Sequence, residues 1–200
     1  IKVYLRADTL QIDKFYKQEG WDNPKLTLAM NGTLKGLDID NISGRVIVDS
    51  LSFSDTDFNF RPGKFTLEAG KNNDNKKFIA FNSSLLSANI DGEYSFTTLP
   101  DEFSNLMHKY LPAVFQSYKT IRKNKNDFTF SINANNTEEL GNILALPINI
   151  ILPAKINGQV NTIDQRIIVQ GDIPHIRYND IDIKETNLSI VNVDSLFNID

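Results

Sequence analysis

The sequence predicts a mainly β protein, a curled antiparallel sheet with one or two amphipathic helices packed against it. Apolar and polar residues alternate along most of the chain, and the segments between the alternating stretches are rich in Asn, Asp and Gly. Alternation at period two is typical of strands with one covered face. A strand-helix-strand order, which would favour a parallel sheet, does not occur.

The alternating segments give the expected strands and their apolar positions. Between them, "GKNNDNKK" and "NTIDQR" are typical of hairpin connections. A slip of one residue turns every side chain to the other face, and in 45–53 and 77–83 both faces look partly apolar, so their phase stays open. The apolar positions of the clearest strands are Phe65, Leu67 and Ala69; Ala88, Ile90, Tyr94 and Phe96; Phe128, Phe130, Ile132 and Ala134; Ile156 and Val160; and Ile167, Val169 and Ile173.

A glycine interrupts the apolar phase in the pattern apolar, polar, Gly, polar, apolar, which occurs at Gly32, Gly44, Gly92, Gly158 and Gly171. Glycine inside a strand indicates a bulge, a bend or a close approach by another group. One interpretation is that these glycines let the sheet curl. The other is that they leave gaps on the apolar face, which becomes a groove with room for an acyl chain.

Two helices are expected. The first is a helical insertion at approximately 100–124, with Pro100 in the first position and Asp101 and Glu102 in the first turn. Pro112 should kink this helix or restart it as a second helix. The second is a short helix at approximately 137–146 with Thr137 as its N-cap. The apolar stripe of the first helix consists of Phe103, Leu106, Met107, Tyr110, Leu111, Val114, Phe115 and Tyr118.

The composition argues against several classes of function. The chain has 200 residues, a formal net charge of -4 and no cysteine, so thiol chemistry is excluded and nucleic acid is not an expected partner. Neither a nucleophile elbow nor a phosphate-binding glycine loop occurs. We therefore expect no enzymatic activity, no cofactor and no metal.

The ionisable residues that chemistry could use have simpler interpretations. His108 and His175 lack a second metal ligand at suitable spacing and are expected to be structural or exposed. The pairs Asp38/Asp40, Asp55/Asp57 and Asp180/Asp182 are expected on the solvent faces of strands or in turns. "DTDFNF" begins like a calcium loop, but Phe60 and Thr66 stand where the glycine and the glutamate belong.

Three segments of the chain resemble the periplasmic part of TamB-like proteins of the AsmA superfamily, as found in Bacteroidota. They are "SGRVIVDSLSF", "LLSANIDGEYSFTTLPDEFSNLMHKYLP" and "LALPINIILPAKINGQVN". The resemblance covers most of the chain, and its most specific part is Leu85 to Pro112. It implies a long periplasmic protein tethered to the inner membrane by an N-terminal anchor. The sequence from Ile1 to Asp200 is accordingly expected to be a single fragment of a longer β-groove protein, 1–200, with the anchor present only in the full-length chain.

The family's function, by this resemblance, is non-catalytic. A β-taco groove shields the acyl chains of phospholipid, or of another acyl-chain lipid, on the way between the inner and outer membranes, or supports outer-membrane biogenesis with an outer-membrane assembly protein as partner. Mapped onto the alternating positions, the groove candidates are Phe65, Leu67, Ile90, Gly92, Tyr94, Phe96, Phe128, Phe130, Ile132, Ile156, Gly158, Val160, Ile167, Val169 and Gly171.

Two other functions stay open at this point. In a structural or interaction module, the sheet's own side chains and helix fill its inner face, and a free edge strand binds a partner β-strand without carrying lipid. A glycan-binding β-domain would need exposed aromatic platforms, for which Trp21 is the candidate.

Overall fold

In the described part of the chain, thirteen strands form one open, curled antiparallel sheet. The computed structural model describes residues 1–14, 22–36, 38–56, 58–109, 112, 116–118, 125–144, 146–193 and 196–199. The strands are β1 (Lys2–Gln11), β2 (Lys25–Lys35), β3 (Ser43–Ser54), β4 (Asn59–Phe60), β5 (Phe65–Lys71), β6 (Lys77–Asn82), β7 (Leu86–Glu93), β8 (Asp127–Ala134), β9 (Ile148–Ile150), β10 (Ala154–Asn161), β11 (Arg166–Tyr178), β12 (Ile181–Val193) and β13 (Leu196–Ile199).

The strand order follows the sequence. The path runs β1-β2-β3-β5-β6-β7-β8-β10-β11-β12-β13, while the short β4 pairs with β3 and the short β9 pairs with β11. Neighbouring strands along a meander are joined locally, so an antiparallel sheet needs no crossover helix. The predicted fold class, a mainly β curled antiparallel sheet with helices, is confirmed.

The strand register places the apolar residues on one side of the sheet, which we call the apolar face. Residues that are direct cross-strand partners share a face, because side chains alternate along each strand. One row of partners crosses from β5 to β11 as Ala69, Ile79, Ile90, Phe130, Gly158 and Val169. The next row consists of Leu67, Phe81, Ala88, Ile132, Ile156 and Gly171.

The other side, the polar face, carries mostly amide, hydroxyl and charged side chains. The row between the two apolar rows runs Arg45, Glu68, Ala80, Asn89, Ser131, Asn157, Gln170 and Ser189. The sheet is therefore amphipathic over nearly its whole width.

Two helices interrupt the meander, α1 (Leu99–His108) and α2 (Glu138–Leu144). α1 falls within the predicted insertion, of which residues 110, 111, 113–115 and 119–124 lie outside the described residues. Thr137 directly precedes α2, but its hydroxyl accepts a hydrogen bond from the Ile150 N–H at 2.9 Å. Asn136 Oδ1 accepts the hydrogen bond from the Glu138 N–H at 2.8 Å, so Asn136 supplies the capping side chain that was expected from Thr137.

Buried apolar residues form two clusters at opposite ends of the strands of the apolar face. In the Tyr94 cluster, Tyr94, Phe128 and Val160 are buried, and Leu99 of α1 packs against them. In the Phe53 cluster, Phe53 and Phe60 are buried and contact Ile12, Phe58, Leu85 and Leu140, the last of these from α2. The two clusters cover the apolar face near the two ends of the strands, and the rows between them are more exposed to solvent.

Candidate functional site

All the groove candidates that lie in strands share the apolar face. The row of Phe128, Val160 and Ile167 belongs to the Tyr94 end of the strands, and the rows of Ile90 and of Ile132 follow it. Tyr94 and Phe96 lie just beyond the end of β7 and pack in the Tyr94 cluster. The phase expected for these strands is therefore the phase of the structure, and the candidates form one continuous surface.

The middle of the apolar face is partly open to solvent. Leu67 is 43% exposed, although it stands on an interior strand and has apolar cross-strand neighbours on both sides. Phe81, Ala88, Ile132 and Ile156 in the same row are half-buried. In the described ranges, neither of the two end clusters includes a residue of this row. The result is an apolar strip that crosses several strands between the two clusters.

The curl of the sheet is visible in a contact between distant strands. Asp40, in the turn between β2 and β3, accepts hydrogen bonds from Ser95 Oγ and Thr97 Oγ1, each at 2.7 Å, and from the Phe96 N–H at 2.5 Å. In a flat sheet β3 and β7 would lie about 14 Å apart, because β5 and β6 separate them. We call this contact the Asp40 clasp; it draws the two sides of the sheet together at the Tyr94 end.

The Asp40 clasp sets the charge state of its carboxylate. Burial alone would raise the pKa of Asp40, but the hydrogen bonds from Thr97, Ser95 and Phe96 favour the ionised form. With a smaller contribution from the charge of Lys77, they lower the pKa of Asp40 below its ordinary value. Burial, with smaller contributions from the charges of Asp91 and Asp40, raises the pKa of the neighbouring Tyr94 to about 12.

A buried polar network centred on Asn126 lies at the same Tyr94 end of the sheet. Asn126 is 0% exposed; its Nδ2 donates to Glu102 Oε2 of α1 at 2.7 Å, and its Oδ1 accepts from the Ser95 N–H at 2.8 Å. Its backbone carbonyl accepts from the Thr162 N–H at 2.9 Å. Asn126 thus joins α1, the β7–α1 connection and the β10–β11 turn.

Most glycines of the apolar face are sites of close approach and not open gaps; at Gly171, by contrast, a Cβ would make only ordinary contacts, at 3.4 Å or more. At Gly92 the backbone φ is +139°, and a Cβ would lie 2.3 Å from the carbonyl oxygen of Asp127. At Gly158 a Cβ would lie 2.5 Å from Cε1 and Cζ of Phe130. Gly44 resembles Gly92, with a φ of +140° and a Cβ position 1.9 Å from the Thr33 carbonyl oxygen. These positions favour the interpretation as bends and close approaches over the interpretation as room for an acyl chain.

The ionisable residues singled out in the sequence mostly serve local structure. Asp38 Oδ1 caps the turn Ile39–Asn41 by accepting from the Asp40 N–H. Asp182 accepts from His175 Nε2 at 2.9 Å and from Arg177 Nε at 3.0 Å, and Arg177 also donates to Glu138 of α2 at 2.6 Å. Hydrogen bonds from His175 and then Arg177 lower the pKa of Asp182. Asp57 and Trp21 lie outside the described residues.

The polar face carries two shallow depressions. One, of about 410 Å³, is lined mainly by amide and hydroxyl side chains such as Asn89, Thr129 and Asn157, and the other, of about 490 Å³, lies near Asp172 and Asn187. Among the described residues, no group of three or more acidic or imidazole side chains is placed to hold a metal ion. None of the helices in the described ranges has the length and apolar content needed to cross a bilayer.

Comparison with known proteins adds nothing to the geometry. No family model matches the chain, and neither the curated proteins nor the solved structures contain a match. The apolar face is therefore the feature of the chain that indicates a function.

Sequence reasoning missed the Asp40 clasp and the Asn126 network. Asp40 is 55 residues from Ser95 and Asn126 is 24 residues from Glu102, and each contact depends on how the sheet curls. No local pattern signals such contacts. No feature of the local sequence indicates that Asn126 is buried.

Proposed function

We propose that the chain is a non-catalytic segment of a TamB-like periplasmic protein and that its apolar face shields lipid acyl chains during transport between the inner and outer membranes. The observation that carries the proposal is the amphipathic sheet, whose apolar face stays partly open in its middle although it spans β1 to β12. A soluble domain normally buries such a face. In the periplasm, phospholipid in transit between the two membranes is a suitable ligand for this face.

The energetics favour an acyl chain on this strip. Each methylene group removed from water is worth about 0.8 kcal/mol. Leu67, Phe81, Ile132 and Ile156 offer apolar contacts in a row that runs across neighbouring strands. Because few polar groups interrupt the row, an acyl chain would be held against water without being fixed at one register. Directional transport would then need an energy source outside this segment.

Lipid extraction followed by native mass spectrometry tests the proposal. The wild-type chain, incubated with phospholipid vesicles and repurified, should carry phospholipid. Leu67→Glu places a charge in the middle of the open strip and should reduce the bound lipid by roughly tenfold. Thr66→Glu is the matched control, because Thr66 lies next in sequence but on the polar face.

The outcomes of this experiment are distinct. Wild-type protein that stays free of lipid contradicts the proposal. Equal loss of lipid in Leu67→Glu and Thr66→Glu also contradicts it, because the effect would then follow charge and not the apolar face. Circular dichroism of both variants establishes that each is folded.

A second function is favoured by one specific observation. In the described part of the chain, β1 pairs only with β2, so the other edge of this ten-residue strand is free. Its exposed residues include Tyr4 at 76% and Leu5 at 46%. A free strand edge can pair with a partner strand, as an interaction module in outer-membrane assembly would require. Lipid-free wild type that binds a β-strand peptide would favour this alternative.

A further inference from the structure

We propose, on the basis of the lipid-shielding function above, that the lipid carries an anionic headgroup and that Lys71 and Lys77 bind it at the Tyr94 end of the apolar face. The two lysines are direct cross-strand partners at the ends of β5 and β6. They lie on the apolar face, because each is two residues from an apolar-face residue, Ala69 and Ile79 respectively.

The nearby Asp40 carboxylate offsets the charges of the two lysines only in part. Like charges at directly opposite positions destabilise an antiparallel pair. Among the described residues, neither Lys71 nor Lys77 forms an ion pair with a carboxylate. Lys77 Nζ donates to the Tyr94 carbonyl oxygen at 2.9 Å and lies 5.4 Å from the centroid of the Tyr94 ring, which positions it at the end of the apolar face.

The lysines flank a pocket of about 310 Å³. Its apolar wall includes Ile42, Ile79 and the Tyr94 ring, and its charged groups are Lys71, Lys77 and Asp40. Within the Asp40 clasp, the Asp40 carboxylate already accepts three hydrogen bonds, from Ser95, Phe96 and Thr97. Two cations and one satisfied carboxylate leave the lining net positive, in a chain whose formal net charge is -4. A pocket with this lining suits a phosphodiester that is attached to an apolar chain.

The distance along the strand suits one acyl chain. From Lys71, the apolar-face residues Ala69, Leu67 and Phe65 follow along β5, a contour of roughly 20 Å at the usual rise of a strand. One leaflet of a bilayer accounts for about 15 Å of hydrocarbon thickness. A headgroup held by the lysines therefore places its acyl chain along β5, where the chain crosses the proposed strip at the exposed Leu67.

The test compares two phospholipids that have identical acyl chains and differ in headgroup charge, phosphatidylglycerol and phosphatidylcholine. Binding to the purified chain is measured by titration with each lipid at low and at high salt. We expect the wild type to prefer phosphatidylglycerol by roughly three- to tenfold, as two partly exposed charge pairs allow, and the preference to weaken at high salt.

Substitutions assign the preference to these lysines. Lys71→Gln with Lys77→Gln should bind both lipids with equal affinity, close to that of wild type for phosphatidylcholine. Lys71→Gln alone, which changes only an exposed side chain, should lose part of the preference. Lys2→Gln with Lys155→Gln is the matched control, because it removes the same charge from exposed positions on the polar face. It should retain the wild-type preference.

Each result separates the headgroup site from the lipid groove. Equal binding of the two lipids by wild type, or a preference that survives in the double variant, overturns the headgroup site and leaves the groove standing. Failure of wild type to bind either lipid overturns the groove as well. Binding of glycerol 3-phosphate as tightly as phosphatidylglycerol would show a site for free phosphate esters and would also overturn the inference.

Discussion

The ring of Phe130 lies against Gly158, its direct partner across β8 and β10 on the apolar face. A Cβ on Gly158 would approach Cε1 and Cζ of the ring to 2.5 Å and the Ile168 carbonyl oxygen to 2.7 Å. An aromatic ring that folds over a cross-strand glycine covers backbone that would otherwise be exposed. The position of the Phe130 ring therefore requires a glycine at residue 158, and Gly158 leaves no free space on the apolar face.

Gly158→Ala should lower the free energy of unfolding by about 1 to 3 kcal/mol, because the methyl group displaces the Phe130 ring. Gly171→Ala is the matched control. Gly171 lies on the same face of the neighbouring strand β11, its φ is not positive, and its nearest non-neighbour atoms are 3.4 Å from the Cβ position. We expect a change within about 0.5 kcal/mol there. Urea denaturation measures both, and equal effects would contradict the role assigned to the ring.

Gly92→Ala should be more costly than a positive φ alone explains. Its φ of +139° disfavours any side chain, and the Cβ would also lie 2.3 Å from the Asp127 carbonyl oxygen. Gly63, with a φ of +81° and no atom within 4 Å of its Cβ position, isolates the backbone effect. We expect about 1 kcal/mol for Gly63→Ala and at least about 3 kcal/mol for Gly92→Ala in denaturant titrations. A Gly92 variant as stable as the Gly63 variant would show that the strands separate easily at this position.

The strand pattern was predictable wherever the alternation was regular, and β3 shows why it failed elsewhere. Met30 pairs with Val48 and Ala29 with Ser50, so Asp49 is an extra residue in β3. This bulge shifts the phase, and Val48 before it and Leu51 after it face the same side. Strict alternation applied across this bulge assigns apolar residues to both faces of 45–53, so the sequence alone does not determine the phase of β3.

β6 was ambiguous for a different reason. Ile79 and Phe81 lie on the apolar face, whereas Phe78 lies on the polar face opposite its partner Gly70. The Phe78 ring is 3.3 Å from the Cβ position of Gly70, so it covers that glycine much as Phe130 covers Gly158. Phe78 therefore covers the backbone of Gly70, a role that is visible only from the cross-strand pairing.

The candidate headgroup site was not predictable for a related reason. Lys71 and Lys77 belong to "GKNNDNKK", whose composition indicates a hairpin connection. In the structure, β5 extends into this segment as far as Lys71 and β6 begins within it at Lys77. The pocket forms only when the Asp40 clasp brings the β2–β3 turn beside Tyr94. Contacts of this range depend on the curl of the sheet and have no signature in local sequence.

The Asp40 clasp should make stability depend on pH. Because the pKa of Asp40 is lowered in the folded state, its contribution is fully present above the ordinary pKa of a carboxyl group, near 4, and is lost as the pH falls through the lower folded value. Asp40→Asn keeps the size of the side chain but weakens the acceptor. This variant should lower the free energy of unfolding at pH 7 by about 1 to 3 kcal/mol. The free energy of unfolding should then differ less between pH 7 and pH 3 than it does in wild type.

The control for this variant is Asp172→Asn, which changes an exposed carboxylate on the polar face. Urea denaturation at pH 7, 5 and 3 gives the three profiles. We expect Asp172→Asn to follow the wild type. If Asp40→Asn also followed the wild type at every pH, the Asp40 clasp would contribute nothing to stability.

Asn126 should be among the least replaceable polar residues of the chain. Asn126→Ala removes two hydrogen bonds of a fully buried side chain. Glu102 Oε2 loses the donor Nδ2, which lies at 2.7 Å, and the Ser95 N–H loses its acceptor Oδ1. We expect a loss of about 2 to 4 kcal/mol, since buried polar groups lose a partner that water cannot replace. Asn157→Ala, on the exposed polar face, should stay within about 0.5 kcal/mol of wild type.

Asn126→Asp separates hydrogen bonding from packing. The variant keeps the shape of the side chain but sets a second carboxylate beside Glu102, so one of the two binds a proton more readily in the folded state than in the unfolded state. Its deficit relative to wild type should therefore be larger at pH 7 than at pH 5, because the folded state gains stability as that proton binds. Denaturant titrations at both pH values measure the deficit. A deficit that does not change with pH would mean that residue 126 does not approach the Glu102 carboxylate in solution.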